Sequence, residues 1–230
     1  MHFLKLREPG YRLLSGDGIE IGGFEHPAIL PNARQITRCD RILKEEAAVV
    51  FTEIAVTALP EVDVRLDLDV DGLGVFADAS QDFVVCCHVL EHLKNPIKAL
   101  GEFMRTLRPG GRVALAIPDK TCTFDKDRPL TEWAALERIY RENITTPVPE
   151  DYMDIVRYVH PQMLAVGEAE RRGYLEHLLN RREHLNIWNC ETFPVFLAQS
   201  ALLLGAGWHS VYLSTAEQNH FEYFAVLEKD

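Results

Sequence analysis

Asp82-Phe83-Val84-Val85-Cys86-Cys87-His88-Val89 is the stretch whose reading decides the fold. It stays apolar from Phe83 to Cys87 without alternating. A strand with one wet face alternates, whereas a strand buried on both faces does not. Arg112-Val113-Ala114-Leu115-Ala116-Ile117 repeats the pattern. Between the two, Ile97, Leu100, Phe103, Met104 and Leu107 recur at helical spacing from Pro96 to Leu107. Proline is tolerated in that first turn, and Pro109-Gly110-Gly111 ends the helix. Upstream, Gly18-Ile19-Glu20-Ile21-Gly22-Gly23 reads as a strand running into a glycine turn. Gln35 to Asp40 reads as a second strand, Arg41 to Thr57 as a helix, and Val62 to Leu68 as an alternating strand. Strands that alternate with helices predict a mostly parallel α/β sheet with helices on both faces. Downstream, residues 119–190 show helical segments and loops but no strand. Cys190 to Leu204 then reads as a helix stopped by Gly205-Ala206-Gly207. Trp208–Ser214 and Phe221–Leu227 are joined by so short a link that they must pair antiparallel.

The 230 residues are 47% hydrophobic and 26% charged, which excludes disorder and coiled coil as the main state. Thirty-five acidic against 24 basic residues give a net charge of −11. That balance argues against nucleic acid and against an anionic membrane surface. The five cysteines include no CxxC pair, and Cys86 and Cys87 point to opposite faces of their strand. They read as free thiols in a reducing compartment. The start has no leader-like apolar segment, and no run of about 18 apolar residues exists to span a membrane. The expectation is a soluble, cytoplasmic protein.

Ligands of open parallel sheets sit outside the carboxyl ends of the strands. The first such end carries Glu20 and the Gly22-Gly23 turn, which lets a ligand approach the backbone. The second ends at Asp40, where an acid can hold both hydroxyls of a ribose, and Arg41 follows it. The third leads to Asp67, Asp69 and Asp71, and the fourth ends at His88. Each feature has an ordinary alternative: a tight turn, a helix cap, a solvated acidic loop. Their order and spacing together point to a nucleotide-type cofactor.

With these residues in place, the chain resembles a class I S-adenosylmethionine-dependent methyltransferase. The resemblance rests on Ile19–Gly23, Thr37–Asp40, Asp78–Val84, His88-Val89-Leu90-Glu91-His92-Leu93 and Leu107–Arg112. It implies a Rossmann-like, seven-stranded, mostly parallel sheet with the last strand antiparallel, plus a helical insert. Residues 1–118 would be the S-adenosylmethionine-binding core, 119–190 a helical substrate cap, and 191–230 the completion of the sheet. The cofactor implied is S-adenosyl-L-methionine. Glu20, Gly22 and Gly23 would face its methionine end, Asp40 and Arg41 its ribose, Asp69 its adenine, and His88 the region of the methyl. A finer similarity is to bacterial methyltransferases encoded near glycan and cell-surface polysaccharide genes. The partner is then a small-molecule acceptor, and a homo-oligomer is compatible with the reading.

One departure stands out. Phe24 and His26 occupy the second and third glycine positions of the usual turn, and Pro27 and Pro31 follow. Proline inside a helix costs about 3 kcal/mol. The usual first helix should therefore be very short or replaced by a loop. His88, His92 and Asp119 are the candidate catalytic residues, with an imidazole suited to accept the acceptor's proton. Each has a bland alternative as a cap or turn residue. His88-x-x-Glu91-His92 formally matches an inverted zinc-peptidase signature. Because His88 follows a buried strand, the two histidines should straddle a loop, and no metal residue is assigned. Asp125–Pro129 reads as a charged loop. Arg171-Arg172 and Arg181–His184 read better as solvated helix faces than as an anion site. The competing functions are an NAD-type oxidoreductase, which the broken glycine turn disfavours, and a non-catalytic module that keeps the fold.

Overall fold

The computed structural model describes residues 2–24, 26–51 and 59–230. Seven strands form one sheet: β1 (Ser15–Ile21), β2 (Asn32–Asp40), β3 (Val64–Arg65), β4 (Gln81–Cys87), β5 (Leu107–Pro118), β6 (Trp208–Ser214) and β7 (Glu222–Lys229). Their spatial order is β3-β2-β1-β4-β5-β7-β6. The first five pair in parallel, and β7 runs antiparallel to both of its neighbours. The expected sheet, with its last strand reversed, is the one observed.

The decisive stretch behaves as its apolar run requires. Val84 and Cys86 face one core with Val113, Leu115 and Ile117. Phe83 and Val85 face a second core with Ala114 and Ala116. Helices α3 (Pro96–Thr106) and α7 (Thr192–Leu204) cover the first side, through Leu100, Phe103, Phe193 and Phe196. The second side is covered differently. Helix α1 (His2–Tyr11), which the sequence pattern did not reveal, lays Tyr11 there beside Ala28 and Leu30 of the β1–β2 connection.

That connection contains no helix among its described residues, as the prolines required. Ten residues, 22–31, must return along β1, a distance of about 20 Å at about 3.3 Å per strand residue. A helix of that length spans only about 15 Å, so the chain has to stay extended. The usual crossover helix is thus excluded by length as well as by proline.

Three elements differ from the sequence reading. The third strand shrinks from Val62–Leu68 to Val64–Arg65, and Leu66 and Leu68 are buried beyond it. The helix expected over 41–57 is α2 (Lys44–Val50), and residues 52–57 of that expectation lie outside the described residues. The Pro109-Gly110-Gly111 stop lies inside β5, because α3 already ends at Thr106.

Residues 119–190 hold α4 (Trp133–Arg141), α5 (Met153–Tyr158), α6 (Glu168–Arg181) and several 3-10 turns, with no strand among the described residues. Tyr152, Ile155, Val156, Leu175 and Leu178 form a small core of their own. Trp133, Tyr140 and Trp188 pack the segment onto the main sheet core. All five cysteines are unbridged, and Cys86 and Cys87 do face opposite sides. No helix among the described residues is long and apolar enough to cross a membrane.

Candidate active site

A cleft of about 970 Å³ opens at the carboxyl ends of β1, β2, β3 and β4. It lies at the switch in strand order between β1 and β4, where this kind of sheet binds ligands. Of the expected cofactor residues, Glu20, Gly22, Gly23, Asp40, Arg41 and His88 line it, and so does His92. Asp69 and Asp119 do not.

Gly22 has φ +70°, and a Cβ there would lie 2.5 Å from Val89 Cγ2. Backbone conformation and space both demand glycine at this point. Glu20 is buried; one carboxylate oxygen accepts the Ala28 N–H at 2.5 Å, and the other receives no hydrogen bond, with Arg38 Nε 3.4 Å away. Glu20 therefore clamps the extended connection, and its second oxygen is buried toward Arg38. Burial raises its pKa, against the pull of the Ala28 N–H. Asp40 Oδ1 accepts the Ile42 N–H at 3.1 Å. Burial pushes the Asp40 carboxyl up to about 6, a cost that hydrogen-bond donors on a ligand would relieve.

Asp69 is placed otherwise. Its carboxylate is buried and accepts from the backbone N–H groups of Lys94 and Asn95 and from Arg182 Nη1. The acid lining the cleft in this region is Asp67, which holds Arg182 Nη2 at 2.7 Å. Arg182 thus fastens the end of α6 to the loop after β3. It is neither a free anion site nor part of a solvated helix face. Asp119 accepts from Thr121 N, Thr121 Oγ1 and Cys190 N, joining the two ends of the 119–190 segment. The charged loop 125–129 holds Asp125 and Arg128 as a buried ion pair.

His88 sits at φ +57°, a conformation uncommon outside glycine. Its backbone N–H donates to Ala116 O at 2.9 Å, and its Nε2 donates to Glu222 Oε2 at 2.7 Å. Its Nδ1 lies 3.4 Å from Glu91 Oε1. Burial alone would lower its pKa, but the two carboxylates win and raise it. His88 is therefore held through Nε2 by Glu222, with Nδ1 turned toward Glu91. Glu222 also takes Arg7 of α1 in a two-pronged pair, at 2.7 and 2.5 Å. Sequence reading missed this pair because its members lie 215 positions apart. The one legible hint was Glu222, an acid within the otherwise apolar run Phe221–Leu227.

His92 is the opposite case. Its Nδ1 donates to the Arg182 carbonyl at 2.5 Å, so its Nε2 carries the lone pair. Burial, then the neighbouring His184, lower its pKa. His184 Nδ1 donates to Asp125 Oδ2 at 2.6 Å, and the rings of His92 and His184 meet edge to face, with centroids 4.7 Å apart. Between them and His88 lies Glu91, 1% exposed, with neither carboxylate oxygen hydrogen-bonded. Cys87 also lines the cleft, but burial pushes its thiol up to about 11, which disqualifies it as a nucleophile.

A family model described as a methyltransferase domain matches residues 16–158, more than half of the chain. The chain belongs to that family. No curated protein matches it by sequence. Among solved structures, the YcgJ protein from Bacillus subtilis aligns over 100% of this chain and 98% of its own, at 13% identity and TM-score 0.50. A Rhodobacter sphaeroides protein described as a zinc-dependent alcohol dehydrogenase aligns over 94% and 84%, at 12% identity and TM-score 0.54. The CurJ carbon methyltransferase aligns over 94% of this chain at 14% identity and TM-score 0.45. This chain spans 49% of that protein's length. At such identities the likeness is one of fold alone, and no neighbour's chemistry transfers with it. Residues 16–158 of this methyltransferase domain include every cleft residue on β1, β2 and β4, and leave α1, Arg182, His184 and Glu222 outside the match.

Proposed function

We propose that the chain transfers a methyl group from S-adenosyl-L-methionine to an oxygen or nitrogen of a small acceptor. The observation that carries the reading is the Gly22 turn between Glu20 and Asp40 at the switch point of the sheet. Asp40 would hold the ribose hydroxyls, with Arg41 beside it. Gly22, Gly23 and the turn that Glu20 clamps would receive the methionine end. A dinucleotide would want its pyrophosphate on a helix N-terminus after β1, and the described residues of 22–31 provide no helix. The volume of the cleft is near the upper end of ligand sites, about 300–1,000 Å³, which suits cofactor and acceptor together.

The acceptor heteroatom attacks the methyl carbon, and the carbon–sulfur bond breaks with its electron pair left on sulfur. S-Adenosylhomocysteine and the methylated acceptor result. Catalysis comes mainly from holding the heteroatom and the methyl in attack geometry. His88, locked by Glu222, shapes that end of the cleft. The acceptor's proton leaves toward His92, whose Nε2 is open. Phe3 and Phe221 pack with ring centroids 4.8 Å apart, and with His2 and His220 they give this end an apolar wall with polar tips. Such a wall suits a hydroxylated molecule such as a sugar or glycan precursor. The unbridged cysteines suit a reducing, cytoplasmic setting.

Calorimetry of the purified protein with S-adenosylmethionine, S-adenosylhomocysteine and NAD tests the reading. Binding of the first two, weakened at least tenfold in Asp40→Ala, is expected. Tighter binding of NAD, or no binding of either sulfur compound, would overturn it.

A further inference from the structure

We propose that Glu91, His92 and His184 form a binding site for a divalent transition-metal ion of the zinc class at the edge of the cleft. Their ligand atoms all lie within 4.8 Å of one another, and Glu91 Oε1 is 4.0 Å from His92 Nε2. Metal–ligand bonds of about 2.0–2.2 Å put tetrahedral ligand atoms about 3.4 Å apart. The three side chains must therefore close by about 1 Å, within the reach of small side-chain rotations.

Three independent features turn this proximity into a site. First, Glu91 is 1% exposed and neither oxygen accepts a hydrogen bond. Its nearest polar neighbour is His88 Nδ1, 3.4 Å from Oε1 and outside hydrogen-bond geometry, so both oxygens keep lone pairs for a cation. Second, both histidines are turned the same way. His92 Nδ1 donates to the Arg182 carbonyl, and His184 Nδ1 donates to Asp125. Holding Nδ1–H in this manner fixes the tautomer and presents Nε2 as the ligand, which is the arrangement found around metal-bound histidines. Third, the supports are themselves held. Asp125 is pinned by Arg128 at 2.7 Å, and the Arg182 side chain by Asp67 and Asp69.

Two imidazoles and one carboxylate suit zinc and its neighbours, whereas magnesium and calcium favour all-oxygen shells. His92 lines the cleft, whereas Glu91 and His184 do not, so an ion held by the three would sit at the His92 edge of the cleft. An ion there would take the His92 Nε2 lone pair and would ease the acceptor's deprotonation itself, by polarising its hydroxyl and lowering its pKa; with the site empty, Nε2 takes the proton directly. This site is distinct from the His88–Glu91–His92 spacing that formally resembles a zinc peptidase. His88 is taken by Glu222, and the third ligand is contributed by His184, 92 positions after His92.

The test uses untagged, chelator-stripped protein and calorimetry with Zn²⁺, with Mg²⁺ as the contrasting ion. One zinc per chain is expected, with no measurable magnesium binding. His92→Ala and His184→Ala should each weaken zinc at least a hundredfold, and Asp125→Asn, which keeps all three ligands, by about 10–100-fold. S-Adenosylmethionine binding and circular dichroism of each variant report separately on the cofactor reading and on folding. Cobalt(II) in place of zinc should give visible absorption bands in the wild type that His184→Ala abolishes. A wild type that takes up no zinc, or zinc affinity unchanged in either histidine variant, overturns the proposal.

Discussion

Glu222→Leu is the sharpest perturbation that the fold offers. Glu222 is fully buried and Arg7 is 2% exposed. The Arg7 guanidinium gives two hydrogen bonds to that carboxylate and lies over the rings of Phe3 and Phe224, at 5.2 and 5.8 Å. His88 gives the same carboxylate a third. Removing Glu222 leaves a buried cation whose remaining hydrogen-bond partner among the described residues is the Tyr11 hydroxyl at 3.3 Å. Breaking one side of a buried pair costs about 3–5 kcal/mol. At about 2–4 °C per kcal/mol for a chain of this size, the melting temperature should fall by about 6–20 °C. Arg7→Met alone should cost a comparable amount, because it strands Glu222. The double variant Arg7→Met/Glu222→Leu removes both charges and should be more stable than either single variant, since replacing a buried pair by apolar groups is often neutral. Urea unfolding of the four proteins, followed by tryptophan fluorescence, gives the coupling energy directly. Single variants within 1 kcal/mol of wild type, or effects that simply add, would refute the claim that this pair anchors α1.

The pH dependence of cofactor binding follows from Asp40. Its folded pKa is raised to about 6 by burial, so the carboxylate proposed to accept the ribose hydroxyls is lost as pH falls through 6. Calorimetric affinity for S-adenosylmethionine should be flat above pH 7 and weaken about tenfold per pH unit below 6. Asp40→Asn should lose that slope, and an unchanged slope removes Asp40 from the site. In the free protein the sign is opposite: the folded state favours the protonated form, so stability from this group declines as pH rises through 6. Gly22→Ala should destabilise by about 1–2 kcal/mol through its positive φ alone, and more through the Val89 clash; an unchanged urea midpoint counts against the turn assignment. His92→Ala should lower turnover at least a hundredfold while S-adenosylmethionine affinity changes less than threefold, and equal losses in both would place His92 on the cofactor instead. Asp119→Ala, which breaks three hydrogen bonds, should cost about 1–3 kcal/mol of stability; a loss of turnover with no change in the urea midpoint would restore Asp119 to a role in proton transfer.

The parallel sheet was legible because its evidence is local. Phe83 to Cys87 and Val113 to Ile117 are apolar throughout, and only a strand covered on both sides has that composition. The extended β1–β2 connection was equally legible, since two prolines and ten residues leave a helix no room. That Glu20, Gly22, Asp40 and His88 line one cleft was legible because a strand's carboxyl end is set by the strand itself. What escaped the sequence depends on distance along the chain. Nothing near Arg7 announces Glu222, and nothing near His92 announces His184. Asp69 and Asp119 look free in sequence, yet Arg182, Thr121 and Cys190 fill their hydrogen bonds once the 119–190 segment docks. Whether an acid is open to a ligand depends on how many donors the folded chain brings to it. A sequence lists the donors near each acid along the chain, and only the packed structure shows which distant ones arrive.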